Sequence, residues 1–424
     1  MDTYTFTKKL NVKKSYDAIV VGGGVAGCAS AVTIAKNGKS VLLIEKTNLL
    51  GGLATIGLIN FFVPMCNGRG KQIIFGLAEK WLRDSEKLSY NTIAPTWQKG
   101  QPTSYTEDRY MQFYSPNIFA LQLLDEVVSS GVDVLYDCIG VEPSTEAGVV
   151  KGVVTDSKSG LEVYPCKYLV DTTGDSDLLR RMGVPVVKGE NFYSYFVKML
   201  TLDGLQKGID KNDVYYAISA ECGGGINLYG DNQPPNVPKW SGTTVEEVTD
   251  YLIRNQLVLL DKISKSPKNS RDIITLPTMP QFRTTCRIDG DYTFSVKDCY
   301  KHFDDSVCAI NDFDHKDYLY EVPYRSLIKT GFDNVITAGR SISASGYGWD
   351  LVRVIPPAIL TGQASGEAVS LALDKGLALS KVDVKKMQSN LEKANVMIHF
   401  PDEYVPEDKT VVIHGKSQTP TGHF

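Results

Sequence analysis

The sequence predicts an α/β protein built around a mainly parallel sheet that carries a dinucleotide-binding βαβ unit. Apolar runs at 18–21 and 41–44 stand on either side of a glycine-rich turn and a helix candidate of small residues. The turn has glycines at 22, 24 and 27, and the second run is followed by Glu45. A strand, a glycine turn, a helix, a second strand and an acidic residue in this order are typical of a Rossmann-like domain.

Each residue of the glycine turn has a predicted part in holding a diphosphate. Gly22 permits the tight turn, Gly24 lets backbone N–H groups approach the phosphates, and Gly27 lets the helix lie close to the sheet. Val25 and Ala26 begin the helix, whose N-terminus offers free N–H groups and the positive end of the helix dipole.

The predicted ribose ligand of this unit is Glu45. It lies about 20 residues beyond the turn, where a carboxylate accepts hydrogen bonds from ribose hydroxyls. Lys46, the next residue, is assigned to the same site.

Length and composition indicate a folded, multidomain enzyme. The chain has 424 residues and a formal net charge of −4, and no basic stripe suggests a nucleic-acid partner. An uncharged stretch at 18–35 has the length of a membrane span, but the glycines within it favour a buried strand and helix. We therefore expect a cytoplasmic protein without a membrane span.

The cysteines favour buried, reduced thiols. Eight are spread along the chain, and no two have CxxC spacing. This disfavours iron–sulfur clusters, zinc fingers and a closely spaced redox disulfide. No metal site is predicted.

The periodicity divides the chain into a discontinuous dinucleotide-binding domain and an insertion. Residues 1–190 and 326–385 are predicted to form the first, with a helix at 117–130 and strands at 148–155 and 162–171. Weaker periodicity across 191–325 predicts an inserted mixed α+β substrate domain. Residues 386–424 are predicted to form a C-terminal helix and an extended tail.

The predicted helix that begins near residue 356 has features of a close-packed helix with an open N-terminus. Pro356 and Pro357 suit its first turn, where backbone N–H groups have no helical partner. Gly362 and Gly366 share one face and would allow close packing against a neighbouring element. The N-terminus is a candidate site for an anionic group, such as a reduced flavin.

Further motifs give the chain a resemblance to a known family. Segments 51–55, 171–175, 338–344 and 352–356 follow the glycine turn in the order found in FAD-dependent oxidoreductases of the glutathione-reductase-like superfamily. The chain most resembles the branch with fumarate reductase-like and heterodisulfide reductase-like flavoproteins. The resemblance implies FAD as the cofactor. It assigns to the flavin half Gly51, Gly52, Leu53, Ala54, Thr55, Gly174, Asp175, Gly339 and Arg340.

The resemblance also implies how the cofactor is held and supplied with electrons. Covalent attachment would require a histidine near Gly51, but no histidine precedes His302, so noncovalent FAD is expected. No second glycine-rich unit for a nicotinamide cofactor is evident, because 223–225 lacks a following helix. An external electron donor or acceptor is therefore expected.

Three residues are the predicted catalytic candidates. Arg287 and Arg353 could anchor an anionic substrate with their paired donors, as could Arg283. His315 could transfer a proton while flavin exchanges a hydride, with Tyr324 and Tyr347 as alternatives. Each of these residues could instead be structural, as an ion pair, a hydrogen-bonded loop residue or a surface residue.

The predicted function is that of an FAD-dependent dehydrogenase or reductase that transfers a hydride to or from a small polar organic substrate. The alternatives are an electron-transfer flavoprotein subunit, a flavin monooxygenase and a noncatalytic FAD-binding protein. The substrate, the direction of the reaction and the oligomeric state are not predicted.

Overall fold

A computed structural model describes residues 4–418 and confirms the predicted α/β class. The strands are β1 (Asn11–Val12), β2 (Tyr16–Val21), β3 (Val41–Ile44), β4 (Phe61–Phe62), β5 (Gln112–Phe113), β6 (Asp133–Leu135), β7 (Cys138–Glu146), β8 (Val149–Ser157), β9 (Gly160–Asp171), β10 (Val186–Lys188), β11 (Phe196–Thr201), β12 (Ile218–Cys222), β13 (Arg271–Thr275), β14 (Cys286–Ile288), β15 (Ser306–Asn311), β16 (Leu319–Pro323), β17 (Val335–Thr337), β18 (Val411–Ile413) and β19 (Lys416–Gln418). The α-helices are α1 (Val25–Lys36), α2 (Gly76–Lys87), α3 (Pro116–Ser129), α4 (Asp177–Arg181), α5 (Leu202–Lys211), α6 (Val245–Ser264), α7 (Tyr347–Arg353), α8 (Ile355–Lys375) and α9 (Val384–Lys393).

The central sheet has the order β6-β3-β2-β9-β8-β7, with β1 and β17 also paired to β9. The pairs β6–β3, β3–β2, β2–β9 and β9–β17 are parallel, whereas β7, β8 and β9 form antiparallel pairs. The mainly parallel sheet of the prediction is therefore confirmed. Strands β2 and β3 are almost wholly buried, as expected for parallel strands covered on both faces.

The register brings four strand ends to one edge of this sheet. Val21 at the end of β2 pairs with Ile44 of β3 and with Asp171 of β9, and Asp171 also pairs with Thr337 of β17. The loops after these strands therefore lie side by side. In open α/β sheets this carboxyl edge is where ligands bind.

Helices α1 and α8 cross in close contact. A Cβ atom on Gly362 would overlap the carbonyl oxygen of Ala26, and one on Gly366 would lie 2.6 Å from the carbonyl oxygen of Ser30. The predicted close packing of the Gly362 and Gly366 face is confirmed. It holds the N-terminal halves of both helices near the carboxyl edge of the sheet.

A separate apolar core lies within the predicted insertion. Strands β12, β11 and β13 form an antiparallel sheet, and Val197 and Met199 of β11 pack with Tyr251 and Leu259 of α6. By contrast, buried residues of β15 and β16 belong to the main core. The exact bounds of the insertion, 191–325, stay a prediction.

The C-terminal region differs in part from the predicted helix and extended tail. Helix α9 is followed by a short hairpin of β18 and β19, and Val411 and Ile413 are buried in the main core. Residues 419–424 of the predicted tail lie outside the described residues. Across residues 4–418, none of the helices has the length and apolar character needed to cross a bilayer.

The close contact between α1 and α8 leads us to predict how a substitution at Gly362 changes the free energy of unfolding. Gly362→Ala should lower the free energy of unfolding of the apoprotein by about 1–3 kcal/mol, because the added methyl group overlaps the backbone of α1. Gly24→Ala is the matched control, since a Cβ there meets no atom within 4 Å. Denaturant unfolding of the two variants provides the measurement. Equal stabilities would contradict the close contact.

Candidate functional site

A cleft of about 1100 Å³ follows the carboxyl edge of the central sheet. Most of the residues predicted from the sequence to bind the cofactor line it. These are Gly22, Gly24, Val25, Ala26, Glu45, Lys46, Gly51, Gly52, Leu53, Ala54, Gly174, Gly339 and Arg340.

Three other predicted residues support the cleft from behind. A Cβ on Gly27 would overlap the carbonyl oxygen of Gly22, so the missing side chain permits α1 to approach the turn. The Thr55 hydroxyl donates to the Leu50 carbonyl at 2.6 Å, and Asp175 accepts from Arg340 at 2.7 Å. These residues hold the lining residues in place.

The start of α1 has the geometry of an anion site. Gly22 has a φ of +104°, and a Cβ there would overlap the Thr172 carbonyl oxygen, so this turn requires glycine. Gly24 is the N-cap, no side chain caps the helix, and the space beside Gly24 is open. The first N–H groups of the helix are thus available to a diphosphate.

Glu45 is buried and held by local donors. Its Oε2 accepts from the Gly23 N–H at 2.6 Å, and its Oε1 accepts from the N–H and hydroxyl of Thr47 at 2.8 and 2.7 Å. Each carboxylate oxygen has two lone pairs, so Oε2 retains one acceptor position for a ribose hydroxyl.

Arg340 joins three segments at the cleft. Its guanidinium donates to the Gly174 carbonyl at 2.8 Å, to Asp175 at 2.7 Å and to the Phe282 carbonyl at 2.7 Å. The first two acceptors follow β9, and Phe282 belongs to the separate core. Arg340 is thus a structural clamp as well as a lining residue.

Several lining residues were not identified from the sequence. Cys138, Ile139 and Gly140 of β7 reach the cleft because the Cys138 N–H donates to the Glu45 carbonyl at 3.2 Å. If a further strand had been predicted directly after the one at 132–136, these three residues could have been identified. Met279 reaches the cleft from the insertion, and no local pattern predicts it.

Among the three predicted catalytic residues, only Arg353 lines the cleft. Arg287 is 6% exposed, donates to the Ile288 carbonyl and the Ser343 hydroxyl, and lies 5.8 Å from the ring centre of Trp349. It does not line the cleft because β14 pairs with β10 and its side chain is enclosed behind α7.

His315 is likewise not a lining residue, and it belongs to a polar cluster. Its Nδ1 is 3.2 Å from the buried carboxylate of Asp312, and the Tyr347 hydroxyl donates to the same carboxylate at 2.8 Å. The adjacent carboxylate of Asp312 is the largest cause that raises the pKa of His315 above its ordinary value. Tyr324 instead donates its hydroxyl proton to the Leu379 carbonyl at 2.9 Å.

Of two guanidinium groups near the cleft, one is paired with a carboxylate and the other has neutral acceptors. Arg353 donates to Asp350 through Nε at 2.8 Å, with a second nitrogen at 2.6 Å. Among the described residues, the guanidinium of Arg283 donates to the Ile226 carbonyl and the Ser194 hydroxyl. Burial, followed by the charge of Arg353, lowers the pKa of Arg283 to about 10. This group of residues therefore carries excess positive charge.

A second cavity of about 770 Å³ lies between the β11–β12 sheet and segments that surround β4 and β5. The rings of Tyr90 and Phe113 lie 5.2 and 6.0 Å from that of Tyr215. Lys198 also lines this cavity, and burial lowers its pKa. This cavity is an alternative position for an anionic substrate.

Comparison with known proteins identifies the family. The model of the family described as FAD dependent oxidoreductase matches residues 17–222 and 206–391. The chain belongs to this family. Its membership confirms the predicted FAD cofactor and the oxidoreductase class. The narrower resemblance to fumarate reductase-like and heterodisulfide reductase-like flavoproteins stays a prediction.

The similar curated proteins share only part of their length with this chain. Digeranylgeranylglycerophospholipid reductase of Methanospirillum hungatei is 30% identical over 154 residues, which cover 34% of each chain. 4-Oxocyclohexanecarboxylate 2-dehydrogenase of Sinomonas cyclohexanicum is 43% identical over 44 residues, 10% of this chain and 8% of that protein. The chain thus spans about a third or less of these relatives.

Among solved structures, the chain is similar to a geranylgeranyl bacteriochlorophyll reductase-like protein of Thermoplasma acidophilum. The TM-score is 0.44 at 11% identity, with 93% of this chain and 95% of that one covered.

The contact between His315 and Asp312 leads us to predict how a substitution at Asp312 changes the pKa of His315. Asp312→Asn should lower the pKa of His315, because it removes the charged acceptor that raises it. Titration of the imidazole NMR signals tests this, with His414 as internal control. In the wild type, the raised pKa means that this pair stabilises the fold below pH about 6.5 and that the effect is lost as the pH rises through the raised value. An unchanged His315 pKa would contradict the assigned contact.

Proposed function

We propose that the protein uses noncovalently bound FAD to dehydrogenate or reduce a small organic substrate that carries an anionic group. The observation that carries the proposal is the pair Arg283 and Arg353 near the cofactor cleft. Arg353 is paired with Asp350, whereas the guanidinium of Arg283 donates to two neutral acceptors, the Ile226 carbonyl and the Ser194 hydroxyl. An anionic substrate group would balance the remaining charge.

Different parts of the cleft suit the ribose, the diphosphate, the adenine and the flavin of FAD. We assign the ribose to Glu45 and the diphosphate to the N-terminus of α1, where Gly24 leaves room for phosphate oxygens. The adenine end would lie beside 138–140, and the flavin half beside 51–54 and 339–340. No histidine is among the lining residues, in keeping with noncovalent binding.

Helix α8 supplies a second positive pole to this cleft. Ile355 and Ala358 in its first turn are lining residues, and its N-cap, Val354, provides no side-chain cap. The helix has 21 residues, so its N-terminus can stabilise negative charge on the flavin.

FAD supplies the hydride chemistry, and the protein orients the substrate and manages protons. In this proposal Arg353 and Arg283 bind the anionic group. His315 remains a candidate for proton transfer, because Asp312 fixes its ring and raises its basicity. Because it is not a lining residue, its proton transfer would need a path through Tyr347 or water.

The reaction class can be tested with the purified flavoprotein. Short-chain hydroxy and unsaturated carboxylates should reduce the flavin or reoxidise the reduced flavin under anaerobic conditions, whereas matched neutral alcohols should not. Oxidation of NADPH with peroxide release would favour a monooxygenase, and turnover only with an added protein partner would favour an electron-transfer subunit. A flavin that is inert to every donor would indicate a structural role.

The first prediction concerns the FAD site. Acid precipitation should release FAD into the supernatant, and Glu45→Ala should weaken binding to the apoprotein by about 1.5–3 kcal/mol, because hydrogen bonds to a charged group are lost. Gly24→Ala should also weaken binding, since its methyl group would enter the space assigned to the diphosphate. Titration of the apoprotein measures both, with the exposed Glu392→Ala as control. A pellet that retains the flavin would contradict noncovalent binding.

The second prediction separates the two possible substrate positions. Arg283→Met and Arg353→Met should each weaken carboxylate binding by about 1.5–3 kcal/mol while FAD remains bound. Lys198→Met should leave it unchanged. The dependence of the flavin reduction rate on carboxylate concentration gives the affinity. The opposite result would place the substrate in the aromatic cavity that Lys198 lines.

A further inference from the structure

Two histidines and a glutamate meet at a position outside the cofactor cleft. His302 precedes β15, Glu321 lies in β16, and His399 follows α9. The Nδ1 atoms of His302 and His399 lie 2.5 and 3.0 Å from Oε1 and Oε2 of Glu321, respectively. One nitrogen or oxygen from each residue falls within 4.8 Å of the other two.

The carboxylate of Glu321 lies at the centre of this group. The free-energy cost of burying its negative charge must be offset by nearby donors or cations. Glu321 is 0% exposed, and apart from the imidazoles its hydrogen-bond donor is the Phe303 N–H, at 2.8 Å from Oε2. Its ion-pair partners among the described side chains are these two imidazoles. A buried carboxylate without a cation is costly.

A neutral His302 ring cannot donate a hydrogen bond to both of the carboxylates that it contacts. Its Nδ1 faces Glu321, and its Nε2 lies 3.1 Å from Oδ1 of Asp402. A neutral imidazole has one N–H, so one ring nitrogen would direct a lone pair at a carboxylate oxygen. The arrangement therefore requires a further positive charge, either a second proton on the ring or a metal ion beside Nδ1.

We propose that His302, Glu321 and His399 bind a divalent transition metal of the zinc type. Two imidazoles and a carboxylate are a ligand set that Zn²⁺ uses, with water as the fourth ligand. At Zn–N distances of about 2.0–2.1 Å the ligand atoms of a tetrahedral site stand roughly 3.3 Å apart. This is within the 4.8 Å that encloses the three ligand atoms in the structure. The histidine side chains are 40% and 42% exposed, so the ion and its water ligand can enter from solvent.

The surrounding groups fit the second sphere of such a site. With Nδ1 bound to the metal, the Nε2–H of His302 donates to Asp402, and the Phe303 N–H orients Glu321. A +2 ion balances the charges of Glu321 and Asp402. The metal would join the segment that carries His399 and Asp402 to the β15–β16 hairpin.

The test uses the full-length, FAD-bound protein after removal of metal with a chelator. Competition with a chromophoric chelator near neutral pH should show one tightly bound Zn²⁺ per chain. The double variant His302→Gln/His399→Gln should lose this binding, and Asp402→Asn should bind about 10–100-fold more weakly. His414→Gln is the matched control, because His414 is equally exposed and contacts the single carboxylate of Asp231 at 3.1 Å.

Further measurements keep the proposal falsifiable if the double variant folds poorly. Asp402 is 93% exposed, so Asp402→Asn should retain its fold and its flavin spectrum. Zn²⁺ should raise the unfolding temperature of the wild type more than that of this variant. Absence of tight binding, equal binding by wild type and variants, or stabilisation by acid but not by Zn²⁺ would each overturn the proposal. The last result would show that a proton supplies the charge.

Discussion

The close approach of backbone to backbone around the start of α1 is the constraint on which the cleft depends. Gly27 brings this helix against the turn at Gly22, and Gly362 brings α8 against Ala26. Side chains at these positions would push both helices from the carboxyl edge of the sheet. The two helix N-termini can face one cleft only because backbone atoms make these contacts directly. Glycine therefore acts here through packing as well as through its freedom in turns.

The electrostatics of the cleft follow from this arrangement. Two helix N-termini and the lining side chain of Arg353 bring positive charge to it, while Asp350 balances the Arg353 guanidinium. A cofactor with a diphosphate and a ring that becomes anionic on reduction suits such a field. Glu45 stands at the other end, where hydroxyl donors need an acceptor. If FAD binds as proposed, this distribution of charge would orient it along the sheet edge.

The sequence was informative where the determinants of structure are local. The glycine turn, Glu45 and the face of Gly362 and Gly366 each lie within a short stretch, so spacing alone predicts their roles. The position of Arg287 depended instead on the pairing of β14 with β10, which no local pattern reveals, and the guanidinium is enclosed. Likewise, 19 and 78 residues separate Glu321 from its two histidine partners, and only the fold brings them together. The cysteine spacing that predicted no metal could not address a site made of such distant residues.

Strand β9 has a consequence for how the chain reaches this structure. It pairs with β2, which lies some 150 residues earlier, and with β17, which lies 166 residues later. Neither pairing can form while only the first βαβ unit has emerged during synthesis, so β2 leaves the ribosome with one edge open. Such long sequence separations slow folding and extend the time for which an apolar strand is exposed. The cleft edge is therefore completed late, when most of the polypeptide has been made.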